Sequence, residues 1–124
     1  MAPVEVVMFV EELVGRGFRE HTVSTRGPLN QVVEFVEADA TVQVLVDRGQ
    51  WFVALAVGQM SNVYDFEAWE SCLKGTDVSA DVHTFADAAN WILAALGNPR
   101  LGAVSEDCLL RARGERVARR LGLA

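Results

Sequence analysis

The side chains best suited to acid–base or nucleophilic chemistry are few and scattered along this 124-residue chain. Its two histidines, His21 and His83, have no second histidine or cysteine three or four positions away, as a metal-binding pair on a helix would. No Gly-x-Ser-x-Gly segment supplies an exposed nucleophile. We therefore expect His21 to face solvent, His83 to lie at the entry to a helix, and neither to serve an active site.

Cysteines, glycines and paired carboxylates add no catalytic set. Cys72 and Cys108 lie on predicted helices without CxxC or Cys/His spacing, so we expect two buried free thiols rather than a disulfide or a zinc site. No GxGxxG or GxxxxGK[ST] segment offers a phosphate cradle. Glu11 and Glu12 fall on a predicted helix surface, where solvation accounts for them. The sequence thus predicts no catalytic residue, no cofactor and no metal.

Residues 65–87, hereafter the acidic segment, hold six carboxylates against one lysine and interleave them with aromatic residues. In one interpretation the aromatic residues, at helical spacing, pack in the core and the acidic residues lie on a solvated face. In the other, acids beside aromatics form a surface for a basic partner, since charge speeds encounter and buried rings supply affinity. The candidate partner-binding residues are Asp65, Glu67, Glu70, Asp77 and Asp81.

Charge is distributed unevenly within the net −6 of the chain. Residues 1–99 carry 14 acids and 5 bases, a net of −9, whereas residues 100–124 carry 3 acids and 6 bases, a net of +3. An acidic body repels phosphate backbones and attracts cationic surfaces, so nucleic-acid binding by the body is disfavoured. The C-terminal arginines fit a solvated helix, a contact with an acidic patch on this chain or its twin, or a weak nucleic-acid contact.

The hydropathy pattern predicts no membrane association. The longest apolar run covers residues 51–58, well short of the roughly 18 to 20 residues that a spanning helix needs. The first apolar residues follow no basic leader and run into glutamates, which is atypical of a signal peptide. We therefore expect a cytoplasmic protein.

Apolar periodicity predicts a helix followed by a β-meander. Residues 4–14 place apolar side chains at helical spacing: Val6, Val7, Val10, Leu13 and Val14. Residues 18–25 could form a short strand before the break at residues 26–30. Three runs typical of strands follow at 31–37, 41–47 and 51–57, and Gly49 suits the hairpin turn between the last two. Alternation in the second run predicts a sheet with one face covered by helices.

Capping residues predict three further helices. Asp65 is a candidate N-cap, with Phe66, Trp69 and Leu73 on the apolar face and Gly75 as the terminator. Thr84 and Asp87 have the spacing of a capping box, and the helix that they begin ends at residues 97–99. Ser105 caps the last helix, whose first turn is acidic and whose last turn is basic.

Strands and helices are therefore segregated along the chain, which is typical of an α+β fold. The predicted architecture is an N-terminal helix, an antiparallel β-meander of three to four strands, and three C-terminal helices packed on one sheet face. Residues 1–124 are expected to form a single domain, with the basic C-terminal helix over about residues 104–122.

Two stretches carry a family resemblance. The first is a strand, turn and strand with Val42, Val44 and Val46 followed by Asp47-Arg48-Gly49-Gln50-Trp51-Phe52-Val53. The second is an aromatic helix with Tyr64-Asp65, Trp69, Cys72-Leu73 and Gly75. Over residues 27–75 the chain resembles small actinobacterial immunity proteins, the cytoplasmic antidotes to secreted polymorphic toxins. The resemblance implies a stoichiometric inhibitor, and it transfers no site residue.

The leading hypothesis from the sequence is a non-catalytic binding protein, an immunity-type inhibitor that neutralises a cognate bacterial toxin by direct contact. Its partner would be a basic toxin domain, and the chain itself a monomer or a homodimer. Two alternatives stay open at this point: an acidic secretion chaperone or adaptor, which is usually dimeric, and a small enzyme whose chemistry the motifs do not disclose.

Overall fold

The computed structural model describes residues 2–22 and 30–123, which form four α-helices and four β-strands. The order is one helix, four strands and three helices, so the predicted α+β class is confirmed. The N-terminal helix, the antiparallel meander and the three C-terminal helices all lie where the sequence predicts them.

Helix α1, Val4–Gly15, uses a different apolar stripe from the predicted one. Its buried residues have the i, i+3, i+7 spacing of one helix face: Val6, Phe9 and Leu13. Val7 and Val14, expected on that face, are exposed. The stripe that contains the phenylalanine turns inward because its larger apolar area gains more from burial than a valine does.

The sheet has the strand order β1-β2-β3-β4, with every neighbouring pair antiparallel. The strands are β1 Arg19–Thr22, β2 Asn30–Glu37, β3 Ala40–Asp47 and β4 Gln50–Val57. The three predicted runs are confirmed to within one residue at their starts. The short first strand is also confirmed, although its predicted end and residues 26–29 of the predicted break lie outside the described residues. Asn30, the last residue of the predicted break, is instead the first residue of β2.

Tight turns connect the long strands. Arg48 and Gly49 both have positive φ, at 52° and 81°, which is the backbone pattern of a turn whose twist matches that of the strands. The predicted positive φ of Gly49 is thus confirmed. Ala38 takes a φ of 50° in the preceding turn, where a glycine would be less strained.

The two sheet faces differ in burial. Phe35, Val42 and Leu55 lie side by side across three strands on the inner face, where the helices cover them. The outer face carries the partly buried pair Glu34 and Gln43, whose side chains bond at 3.4 Å. One contiguous cluster of buried side chains fills the space between the inner face and the helices.

The C-terminal helices begin at the predicted caps. They are α2 Phe66–Lys74, α3 Phe85–Ala95 and α4 Glu106–Arg120, with a short 3₁₀ helix at Pro99–Ala103. The Asp65 cap, the Thr84 capping box and the Ser105 cap are each confirmed by a hydrogen bond to the backbone. Within residues 2–22 and 30–123, no helix combines the length and apolar character needed to cross a membrane.

The expectation of two free thiols is wrong. Cys72 of α2 and Cys108 of α4 form a disulfide across a sequence separation of 36, with their Cα atoms 6.1 Å apart. The linear spacing of cysteines cannot show this, because the pairing depends on α2 and α4 lying side by side. The disulfide therefore links two helices that also share the polar cluster described next.

Candidate functional site

A buried polar cluster joins α2, α4 and the connection between α2 and α3. Glu67 is only 6% exposed, and its Oε2 atom lies 3.1 Å from Nη2 of Arg116 and 2.7 Å from Nδ1 of His83. Arg116 is buried as well. A buried carboxylate without partners would be costly, and the contacts with Arg116 and His83 offset the cost of burying Glu67.

The same arginine holds residues 75–84, hereafter the pinned loop. Its guanidinium donates hydrogen bonds to two backbone carbonyls of the loop, those of Ser79 and Asp81, the latter at 3.0 Å. His83 adds a third attachment through its contact with Glu67. Its ring also packs edge-on against the Phe66 ring, with the two ring centroids 4.8 Å apart. A connection without regular secondary structure is thus fixed at several points along its length.

The outward side chains of the pinned loop differ from its buried attachments. The side chain of Asp77 is 84% exposed, and Asp81 is also exposed. Val82 is 79% exposed, an unusual position for an aliphatic residue in a fixed loop. The loop therefore presents two carboxylates and an apolar contact to solvent while its backbone is anchored to the core.

The five candidate partner-binding residues do not form one surface. Glu67, expected on a solvated helix face, is buried in the ion pair with Arg116, so it is withdrawn from any direct contact with a partner. Asp65 caps α2 by accepting from the amide of Ala68. Helical periodicity predicted an exposed Glu67 because it assumes one buried face, whereas four consecutive residues, 66–69, are buried at the start of α2.

Glu70 belongs to a separate cluster on α2. Its Oε2 accepts a hydrogen bond from Nε1 of Trp91 at 3.2 Å and lies 3.4 Å from Nζ of Lys74. Asp77 and Asp81, by contrast, sit together on the pinned loop. The structure therefore leaves Asp77 and Asp81 exposed on the pinned loop, Asp77 in a surface ion pair with Arg119, and engages Asp65, Glu67 and Glu70 within the fold.

The arginines of α4 contact the acidic segment of their own chain. Arg116 pairs with Glu67, and Nη2 of Arg119 lies 3.3 Å from the Asp77 carboxylate at the surface. Contact with an acidic patch of the same chain was one of the three interpretations of the C-terminal arginines. The sequence carried a signal for Arg116, since it continues the buried stripe of Leu109 and Ala112 at i, i+3 and i+7.

A cleft of about 900 Å³ opens beside this cluster. Aromatic, basic and acidic side chains line it: Trp51 and Phe52 of β4, Arg113 and Arg120 of α4, Glu5 and Asp65. His83 also lines it. Across the described ranges 2–22 and 30–123, no group of three or more histidine, cysteine or carboxylate side chains is placed to hold a metal ion. With this lining, the cleft can offer a ligand hydrogen bonds, charge and apolar surface.

A second polar cluster anchors the start of α4. Glu106 accepts hydrogen bonds from the Tyr64 hydroxyl at 2.7 Å and from the backbone amides of Ser61 and Asn62. The Tyr64 bond, followed by the Ser61 amide, lowers the pKa of Glu106. Burial, followed by the bond to Glu106, raises the pKa of Tyr64. This cluster ties the chain after β4 to α4.

Comparison with known proteins gives no relative. No family model matches the chain, and neither the curated proteins nor the solved structures contain a significant match.

Proposed function

We propose that this chain is a non-catalytic binding protein, an immunity-type inhibitor that neutralises a cognate bacterial toxin by direct protein–protein contact. The observation that carries the proposal is the pinned loop, which is held by Arg116, Glu67 and His83 while Asp77, Asp81 and Val82 stay exposed. Loops fixed on a rigid scaffold are where recognition residues concentrate.

The physical reason concerns the entropy of binding. A loop ordered before association loses less conformational freedom on binding than a flexible one, so more of its contact energy appears as affinity. The exposed Val82 offers a small apolar contact directly after the exposed carboxylate of Asp81. Together with the net charge of −6, this composition suits a basic toxin domain.

The test uses toxin candidates encoded beside this chain's gene. We expect co-expression of the chain to restore growth of cells that make such a toxin. Replacing both loop carboxylates, Asp77→Asn with Asp81→Asn, should weaken protection and slow association of the purified pair, most strongly at low salt. The control, Glu11→Gln with Glu115→Gln, removes two exposed charges elsewhere and should leave protection intact. Failure of the chain to protect against any neighbouring toxin would overturn the proposal.

A cytoplasmic location belongs to the same proposal. The disulfide between Cys72 and Cys108 is a feature typical of oxidising compartments, so it gives the location a direct test. In a cytoplasm that keeps thiols reduced, this bond would be open in the cell and would close on isolation in air, so rapid alkylation in intact cells should label both cysteines. Cysteines that label only after treatment with a reductant would remove the cytoplasmic location from the proposal.

One observation favours a second candidate function, a small enzyme. His83 lines the cleft with its Nδ1 held by a buried carboxylate, which is how general-base histidines are oriented. Among the described residues, no group bonds its Nε2 atom. Screening metabolites by thermal shift separates the two functions: a saturable stabilisation that His83→Asn abolishes would favour the enzyme.

A further inference from the structure

We infer that the disulfide between Cys72 and Cys108 is an exchange site for small anionic thiols, which attack the sulfur of Cys72 in the folded protein. The inference goes beyond the proposed function, because it concerns a covalent reaction of this chain and not its contact with a partner protein. It rests on where the disulfide lies, on the helix positions of its two cysteines and on the charges beside it.

The disulfide lies at the protein surface. Cys72 and Cys108 are both half-buried, and both line a depression of about 310 Å³. The depression opens to solvent, since three of its other lining residues are exposed: Arg100, Ala103 and Ser105. A thiol dissolved in water can therefore reach the bond while the chain stays folded, as it could not if the disulfide were enclosed in the core.

The two sulfurs differ in how well the protein supports a thiolate. Cys108 is the third residue of α4, where the helix dipole stabilises negative charge. Cys72 lies in the last turn of α2, where the dipole has the opposite effect, and it packs against the hydrophobic core. Exchange is faster when the thiolate that leaves is the more stable one. Cys108 is therefore the leaving group, and the sulfur of Cys72 is the one attacked.

The charged residues nearby on the two helices give the same order. Residues three or four positions apart on a helix are neighbours, and Arg111 has that spacing from Cys108. No charged residue has it from Cys72. Glu106 and Asp107 precede Cys108 by two positions and by one, and side chains at those spacings do not face each other. The facing charge is therefore positive at Cys108, which further supports a thiolate there.

Arg100 selects the charge of the incoming thiol. Among the described residues it is the one charged side chain that lines the depression, and its Nη2 atom donates a hydrogen bond to the carbonyl of Leu73 at 2.9 Å. That bond holds the guanidinium beside the residue that follows Cys72. An approaching anion is attracted to this position and a cation is repelled. The favoured reagent is therefore a low-molecular-weight thiol that carries a carboxylate or sulfonate group.

The exchange conserves atoms and electrons. The thiolate sulfur of the reagent bonds to Sγ of Cys72 as the bond between Cys72 and Cys108 breaks, and the electron pair of the broken bond stays on Sγ of Cys108. The product is a mixed disulfide at Cys72 and a thiolate at Cys108. Attack by the Cys108 thiolate on the mixed disulfide expels the reagent and restores the original bond, so the reaction is reversible.

Mass spectrometry identifies the sulfur that is attacked. The oxidised full chain is exposed to 2-mercaptoethanesulfonate at neutral pH, quenched at short times with N-ethylmaleimide and digested. We expect the sulfonate thiol on Cys72 and the maleimide on Cys108, at least about tenfold above the reverse pattern. The rate should stay within about twofold in urea below the unfolding transition, since attack does not need unfolding. An adduct mainly on Cys108, or a rate that rises in step with unfolding, would overturn the inference.

Thiols of different charge test the selection by Arg100. For each thiol, the rate for the parent is divided by the rate for Arg100→Gln, which cancels the reactivity of the thiol itself. This ratio should be about threefold or more for 2-mercaptoethanesulfonate, unchanged for the neutral 2-mercaptoethanol and inverted for the cationic cysteamine. The control Arg19→Gln changes an exposed arginine of β1 and should leave all three rates as in the parent. Equal ratios for the three thiols would contradict the selection of anionic thiols. No toxin takes part, so the outcome is independent of the proposed function.

Discussion

The carboxylate of Glu67 and the guanidinium of Arg116 form a buried ion pair, 3.1 Å apart, between α2 and α4. Each group has further partners: His83 for the carboxylate, and two loop carbonyls for the guanidinium. In the part of the chain that the structure describes, no buried side-chain nitrogen or oxygen lacks a hydrogen-bond partner. The pair therefore acts as the internal support of the pinned loop.

Breaking this pair should destabilise the fold strongly. Arg116→Met leaves the Glu67 carboxylate buried with only His83, and we expect the free energy of unfolding to fall by about 3 kcal/mol or more. Urea unfolding measures the loss. The control Arg111→Met changes an exposed arginine on the same helix and should cost less than about 0.5 kcal/mol. Similar small losses for both variants would contradict the supporting role.

Truncation of Trp69 should also be costly. Its side chain is fully buried, and Nε1 donates a hydrogen bond to the carbonyl of Leu55 at 2.9 Å. Trp69→Ala should lower the free energy of unfolding by about 3 to 5 kcal/mol, the usual range for a large buried aromatic residue. Trp69→Phe, which keeps most of the apolar volume, should cost less. A loss below about 1 kcal/mol for the alanine variant would mean that the site collapses around the smaller side chain.

Opening the disulfide should lower stability through the unfolded state. The bond closes a loop across a sequence separation of 36, so its removal should cost about 3 to 4 kcal/mol in the chain-entropy description. Denaturation of the oxidised protein, the reduced protein and Cys72→Ser with Cys108→Ser measures this. Reduction and substitution should give the same loss, and an unchanged unfolding midpoint on reduction would contradict the prediction.

The Glu106 cluster should make stability depend on pH. Because hydrogen bonds lower the pKa of Glu106 in the folded protein, its contribution is present above the pKa of an unfolded glutamate. It is then lost as the pH falls through the lower, folded value. Glu106→Gln should therefore be less stable than the parent at neutral pH, and the difference should shrink in acid. Glu115→Gln, an exposed control, should show a difference that is flat with pH.

Local patterns predicted most of the fold. Period-two alternation marked the long strands, and the caps at Asp65, Thr84 and Ser105 marked the helix starts, because each signal depends on residues only a few positions apart. The inward face of α1 was predicted less well. Several apolar residues shared that helix, and the choice among them depended on what packs against each.

The candidate site was predicted less well than the fold. The acidic segment was recognised, yet the sequence could not separate the exposed Asp77 from the buried Glu67, since both look like ordinary surface acids in a linear chain. The cleft beside β4 left no local signal either. It is lined by residues of β4, of the start of α2 and of α4, which come together only in the folded chain.

The sequence by itself therefore determined the elements, their order, the caps and the charge of each region, all of which arise from neighbours along the chain. Only the tertiary structure decided that Cys72 bonds Cys108 and that Arg116 supports the pinned loop. The physical reason is that each of these depends on how α2, α4 and the sheet pack together, and packing joins residues far apart in sequence.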